Sequence, residues 1–148
     1  MARAWLVSVS LLLSLSLLLP LAALAAQAPK RTPSVPGASV YLIAPADGAT
    51  VSGPVTVRFG LTGMGVAPAG IQVDKTGHHH LLIDVGALPA LDQPIPMDDQ
   101  HKHFGGGQTE TVLTLPPGKH TLQLLFADYL HVPHDPPLVS APVTITVQ

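Results

Sequence analysis

The stretch Val40–Gly60, VYLIAPADGATVSGPVTVRFG, decides the class of fold. Val40-Tyr41-Leu42-Ile43 is a short apolar run, and Pro45-Ala46-Asp47-Gly48 ends it with turn-forming residues. Val55, Val57 and Phe59 then alternate with Thr56 and Arg58. That period of two belongs to a strand with one face buried. Strand, turn and strand in so short a span predict antiparallel β structure.

The pattern continues outward. Gly60 to Gly70 carries four glycines and a proline and reads as a loop. His79, Leu81, Ile83 and Val85 then form one face of a strand, and His78, His80, Leu82 and Asp84 form the other. Pro89 to Gly107 is polar and rich in Pro and Gly, and a loop this long in a compact domain is functional or disordered. Gln108–Leu115 and His120–Ala127 read as strands around the turn Pro116-Pro117-Gly118. Tyr129–Pro137 reads as a second Pro/His-rich loop, and Val143, Ile145 and Val147 mark a last strand. No segment sustains a helical period. The expectation is an all-β, immunoglobulin-like antiparallel β-sandwich of about six to eight short strands over residues 39–148.

Upstream, Arg3 precedes an uncharged apolar run from Ala4 to Leu19, a break at Pro20 and the small residues Ala23-Leu24-Ala25. This order predicts a signal peptide over residues 1–25, with a retained membrane anchor as the alternative. Residues 26–38, rich in Pro, Ala and Ser, read as a flexible linker. The expected location is periplasmic or secreted. With no cysteine the domain folds without disulfides. Removal of the leader leaves six Lys+Arg (seven less Arg3) against nine Asp+Glu. The mature chain is therefore mildly acidic, and without a basic cluster it has no footprint for nucleic acid. Membrane contact is expected only through an uncleaved leader.

All eight histidines lie between His78 and His134. Neutral imidazole is a ligand for zinc, copper and nickel. His78 and His80 share a strand face about 6.6–7 Å apart along the chain, a spacing from which two rings can meet at one ion. His101 and His103 repeat the H-x-H spacing in a loop, and His131 and His134 flank Pro133 in another. The candidate ligands are His78, His80, His101, His103, His131 and His134. Asp84, Asp98, Asp99, Glu110, Asp128 and Asp135 are candidate ligands or acceptors that orient the rings. His79 shares its face with Leu81 and Ile83 and reads as a packed residue, and His120 as a structural corner residue. With no thiolate available, copper or zinc is the expected metal, to which Met64 and Met97 offer soft donors. No catalytic residue is picked out: there is no G-x-S-x-G elbow and no H-E-x-x-H. A phosphate loop at Gly105-Gly106-Gly107 lacks the Lys-Ser/Thr that such a loop needs.

The Val40–Gly60 stretch resembles the first hairpin of many bacterial immunoglobulin-like domains. LPPGKHTLQLLFAD resembles their late corner, where tyrosine often stands at the position of His120. A closer resemblance rests on GHHHLLID, HKHFGGGQTE and HVPHDPP taken together. Over about Tyr41 to Val147 the chain resembles a bacterial family of small exported proteins, domain of unknown function 4399. Its motif positions fall on Gly77, His78, His79, His80, Asp84, His101, His103, Phe104, Gly105, Gly107, Gln108, Thr109, Glu110, His120, Asp128, His131, His134 and Pro136. The residue before the late aspartate, often glycine in such sequences, is Ala127. The resemblance implies an exported single domain and supplies no activity. The chemistry of the histidines leads to an exported domain that binds copper or zinc, for metal handling or for its own stability. The alternatives are a non-metal module that binds a cell-envelope protein, its histidines ordering the loops, and a small metalloenzyme.

Overall fold

The computed structural model describes residues 30–148. The predicted leader and residues 26–29 of the predicted linker lie outside the described residues. Among those described, ten strands follow in the order β1 (Ser39–Ala44), β2 (Thr50–Val51), β3 (Val55–Thr62), β4 (Gly65–Val66), β5 (Thr76–Ile83), β6 (His101–His103), β7 (Glu110–Leu113), β8 (Gly118–Ala127), β9 (Pro133–Val139) and β10 (Val143–Val147). They form the expected all-β sandwich. One sheet has the order β1-β3-β7, and the other runs β2-β10-β8-β5-β4, with β6 added to β5 and β9 to β8.

The alternation in Val40–Gly60 has its packing counterpart in the core. Val40, Val55, Val57 and Phe59 meet Leu81, Ile83, Leu122, Leu124, Phe126 and Ile145 from the opposite sheet. Burying each such side chain stabilises the fold by roughly 1.5–3 kcal/mol. β5 and β8 are antiparallel neighbours, with His78 opposite Ala127 and Ile83 opposite Leu122. Unlike a strand with one wet face, β5 is buried on both sides from Gly77 to Ile83. A second cluster of Leu82, Ile95, Leu125 and Ala127 explains this. The Pro/Gly-rich segment after β5 folds over the outer face, with Ile95 buried on it.

Three predicted loops contain strands. β3 runs on to Thr62, and β4 pairs with β5 inside the Gly60–Gly70 region. β6 lies inside Pro89–Gly107, with His80 opposite His103 and Leu82 opposite His101. β9 occupies much of Tyr129–Pro137 despite Pro133, Pro136 and Pro137. Prolines cannot donate to a ladder, so they argue against a central strand but are tolerated at an edge. The predicted linker also carries fixed contacts. Ser34 N–H donates to the Asp135 carbonyl at 3.0 Å, Asp135 N–H donates to the Thr32 carbonyl at 2.9 Å, and Pro33 bridges Asp135 in parallel.

Candidate metal centre

The local sequence of β5 sorts its three histidines by face. His79 points into the core, its ring centroid 5.2 Å from Phe59 and 5.1 Å from Phe126. His78 and His80 point to the opposite face, beneath the covering loops. Gly77 precedes them because its neighbours approach closely. A Cβ there would stand 2.2 Å from the Ala127 carbonyl oxygen, 2.8 Å from Phe126 and 2.9 Å from His134 Nε2.

Four rings from three segments converge on the outer face of β5. His78 Nε2 and His80 Nε2 are 3.1 Å apart. The His103 ring centroid lies 5.0 Å from that of His78 and 5.0 Å from that of His80, in keeping with the cross-strand register of β5 and β6. His131 closes the group from the loop after β8, at 5.0 Å from His78, 6.1 Å from His80 and 4.7 Å from His103. His78, His80 and His103 each present one ring nitrogen within 4.8 Å of the others and could hold a metal ion.

The supports of these rings are specific. His131 has φ 67°, a backbone conformation uncommon for a residue with a Cβ. The buried Asp128 holds it there: Oδ1 accepts from Leu130 N–H at 2.9 Å and Val132 N–H at 3.1 Å. The His131 backbone adds two bonds, donating to the Asp128 carbonyl and accepting from Ile95 N–H, both at 2.9 Å. Gly105 makes room for His103, since a Cβ on it would stand 2.2 Å from His103 Cε1 and 2.4 Å from Nε2. The HFG motif is thus a ring followed, two residues later, by the gap that receives it. Because the obstruction would be a movable ring rather than backbone, Gly105→Ala is expected to leave stability within about 1 kcal/mol. It should weaken metal binding by about 10-fold or more by turning His103 away. Thermal unfolding and a zinc titration on the same variant check both halves.

Burial and mutual repulsion favour the neutral form of His78, His80 and His103. Burial pushes His78 down to about 4, with His103 and His131 adding repulsion and Asp128 opposing it. His80 is lowered further by burial and then by His78, His103 and His131. His103 is lowered by burial and by His131. A neutral ring offers the lone pair that a metal needs. Yet Nδ1 of His78, Nδ1 of His80 and Nε2 of His103 are buried without a hydrogen-bond partner. An unpartnered buried polar group costs about 1–3 kcal/mol.

His101 and His134 stand apart from this group. His101 shares the face of His103, but Asp98 Oδ1 holds its Nδ1 at 2.8 Å and also accepts from Gln100 N–H and His101 N–H. That local turn draws the ring aside, and His101 in return holds the Asp98 carboxyl below its usual range. His134 lies on the other face of the sheet, stacked on Phe126 at 5.7 Å and 20°, with Nδ1 3.3 Å from the Thr32 carbonyl. It went there because its segment is a strand, so alternation along β9 fixes its direction. Asp84 also leaves the expected face. At the end of β5, with φ 57°, it accepts from His120 Nδ1 at 2.7 Å and from Thr121 N–H at 2.8 Å. Met64 packs on the core, and Met97 is exposed.

Two histidines outside the cluster, His79 and His120, add to the pH dependence that the lowered cluster rings already give. Burial pushes His79 down to about 4, and its ring nitrogens have no partner in hydrogen-bonding geometry although the Gln108 backbone opposes the shift. The folded state therefore refuses a proton that the unfolded chain accepts near 6.5. Its contribution is whole above pH 6.5 and falls away toward pH 4, by up to about 3 kcal/mol. His120 has the opposite sign. Asp84, helped by the Pro116 carbonyl at 2.9 Å from Nε2, raises it, so its contribution is present in acid and lost as pH climbs through the raised value. We expect His79→Phe to flatten the acid limb of melting temperature against pH, measured in EDTA between pH 4 and 7. An unchanged acid limb would remove His79 from its cause.

Comparison with known proteins agrees with the motif reading. The family model described as domain of unknown function (DUF4399) matches residues 57–148. Among solved structures, a fibronectin(III)-like module of CbhA from Clostridium thermocellum is similar at 13% identity, covering 73% of this chain and 92% of that chain, with a TM-score of 0.35. No curated protein gives a match.

Proposed function

This chain belongs to the DUF4399 family, and we propose that it is an exported domain that binds one transition-metal ion, copper or zinc, through His78, His80 and His103 with His131 as the fourth ligand. The observation that carries the proposal is the 3.1 Å separation of the buried His78 Nε2 and His80 Nε2 in a group of four imidazoles whose other members, His103 and His131, are half-buried. Two nitrogens bound at 2.0–2.1 Å to a tetrahedral ion stand about 3.3–3.4 Å apart. The pair is therefore close to ligand spacing, and His103 reaches it by turning its ring. Without an ion, His78, His80 and His103 each keep a buried ring nitrogen that has no partner. With one, lone pairs become bonds.

An all-imidazole set suits zinc and copper, whereas magnesium and calcium prefer oxygen. Export is supported by the leader-like order of Arg3, Ala4–Leu19 and Ala23-Leu24-Ala25. The competing reading uses the same 3.1 Å contact as a hydrogen bond between two neutral rings in a binding module for a cell-envelope partner. Titration of the untagged protein separates the two. The metal reading expects one ion per chain with a dissociation constant below about 10 μM. The competing reading expects no saturable binding and a melting temperature indifferent to EDTA.

A further inference from the structure

The Asp128 carboxylate serves two segments at once. Oδ1 holds the loop that presents His131, as described above. Oδ2 accepts from the Thr32 hydroxyl at 2.6 Å, and Asp128 is only 2% exposed. Thr32 belongs to the segment that precedes the sandwich. Among the described residues that segment is fastened to β9: Thr32 and Ser34 bond to Asp135, His134 Nδ1 stands 3.3 Å from the Thr32 carbonyl, and Arg31 Nε donates to the Pro133 carbonyl at 3.1 Å and Nη1 to Asp135 Oδ1 at 3.2 Å. The Arg31 Nη2 also donates to the His134 carbonyl.

We propose that metal occupancy of the histidine cluster and docking of the Arg31–Val35 segment on β9 are coupled through Asp128. The inference rests on the metal reading above and adds its regulation. When Thr32 is docked, its hydroxyl fixes the Asp128 carboxylate, and the fixed carboxylate keeps the Leu130 and Val132 amides turned inward. That geometry places His131 over the other three rings. When the segment leaves, Asp128 loses one of its three partners and the His131 loop loosens. The ion then loses its fourth ligand first, because β5 and β6 hold the remaining three independently. Linkage makes the effect reciprocal: an ion that favours the ordered loop favours the docked segment by the same factor. The domain thereby registers metal at the point where it joins residues 1–29.

The test uses the untagged chain and its Thr32→Ala and Thr32→Ser variants, with zinc as the probe. Zinc affinity is measured by competition with a chromophoric chelator, and docking by hydrogen exchange at the Ser34 and Asp135 amides. We expect Thr32→Ala to weaken zinc binding by about 5- to 20-fold, a span typical of coupled sites. We expect Thr32→Ser, which keeps the hydroxyl, to restore it. In the wild type zinc should slow exchange at Ser34 and Asp135, and in Thr32→Ala it should not. A merely structural threonine would shift melting and leave zinc affinity unchanged, and that result overturns the coupling while the metal site stands. Failure of the wild-type chain to bind zinc or copper overturns both.

Discussion

Replacing His78 and His80 together with alanine is expected to raise the dissociation constant for zinc or copper by at least about 100-fold, since loss even of a group that only orients a ligand costs 10–100-fold. The two rings provide the single contact already near ligand spacing, at 3.1 Å. They sit on β5, which is buried on both faces and paired with β8 from His78 to Ile83. Their loss removes half of the four-ring group, leaving His103 and His131 on separate segments. Stability should fall far less than affinity. Each substitution opens space in a buried site, but it also removes a buried ring nitrogen without a partner. The two effects oppose each other, and in EDTA the variant should melt within a few degrees of wild type. In excess zinc the wild type should melt higher and the variant should not respond, because a ligand stabilises only the state that binds it. Equal zinc-induced shifts in both proteins would count against these ligands.

The second large effect is expected at a residue that carries no ligand. Asp128→Ala strips partners from the Leu130 and Val132 amides and from the Thr32 hydroxyl. With unpartnered buried donors costing about 1–3 kcal/mol each, and water able to reach some of them, the expected destabilisation is about 3 kcal/mol. For a domain of this size that is a fall in melting temperature of about 10–15 °C. Metal affinity should drop as well, because His131 loses the bonds that keep it at φ 67°. Asp128→Asn retains one acceptor oxygen and should fall between wild type and alanine on both measures. A melting curve and a zinc titration on the two variants decide it. If Asp128→Ala melts like the wild type, the account of how His131 is held fails.

The sandwich was legible because apolar alternation in Val40–Gly60 and His120–Ala127 reports directly on which face is buried. The division of roles within GHHHLLID was legible for the same reason: Leu81 and Ile83 carry His79 into the core. What alternation could not convey was the cover on the other face. Leu82 and Ile95 form a second small core there, and a loop's fold-back leaves no period in the sequence. The six candidate histidines were therefore mixed in destination. His103 followed from cross-strand register with His80, whereas His101 was drawn off by Asp98 three residues before it. An Asp three residues ahead of a His in a turn is a readable sign of such local capture. His134 was misplaced because prolines disguised β9 as a loop. Gly105 and the two-sided role of Asp128 depend on contacts across the chain, although the glycine in HFG gives a local hint.

The most direct measurement of the central claim is X-ray absorption on the untagged protein after metal loading and desalting. About one zinc or copper is expected to be retained per chain. Its nearest neighbours should be three to four nitrogen or oxygen scatterers at about 2.0–2.1 Å, with the outer-shell signature of imidazole, lost in His78→Ala/His80→Ala. A protein that emerges free of metal, or whose metal shows no imidazole signature, would contradict it and leave the four histidines as a hydrogen-bonded support for the loops that cover β5.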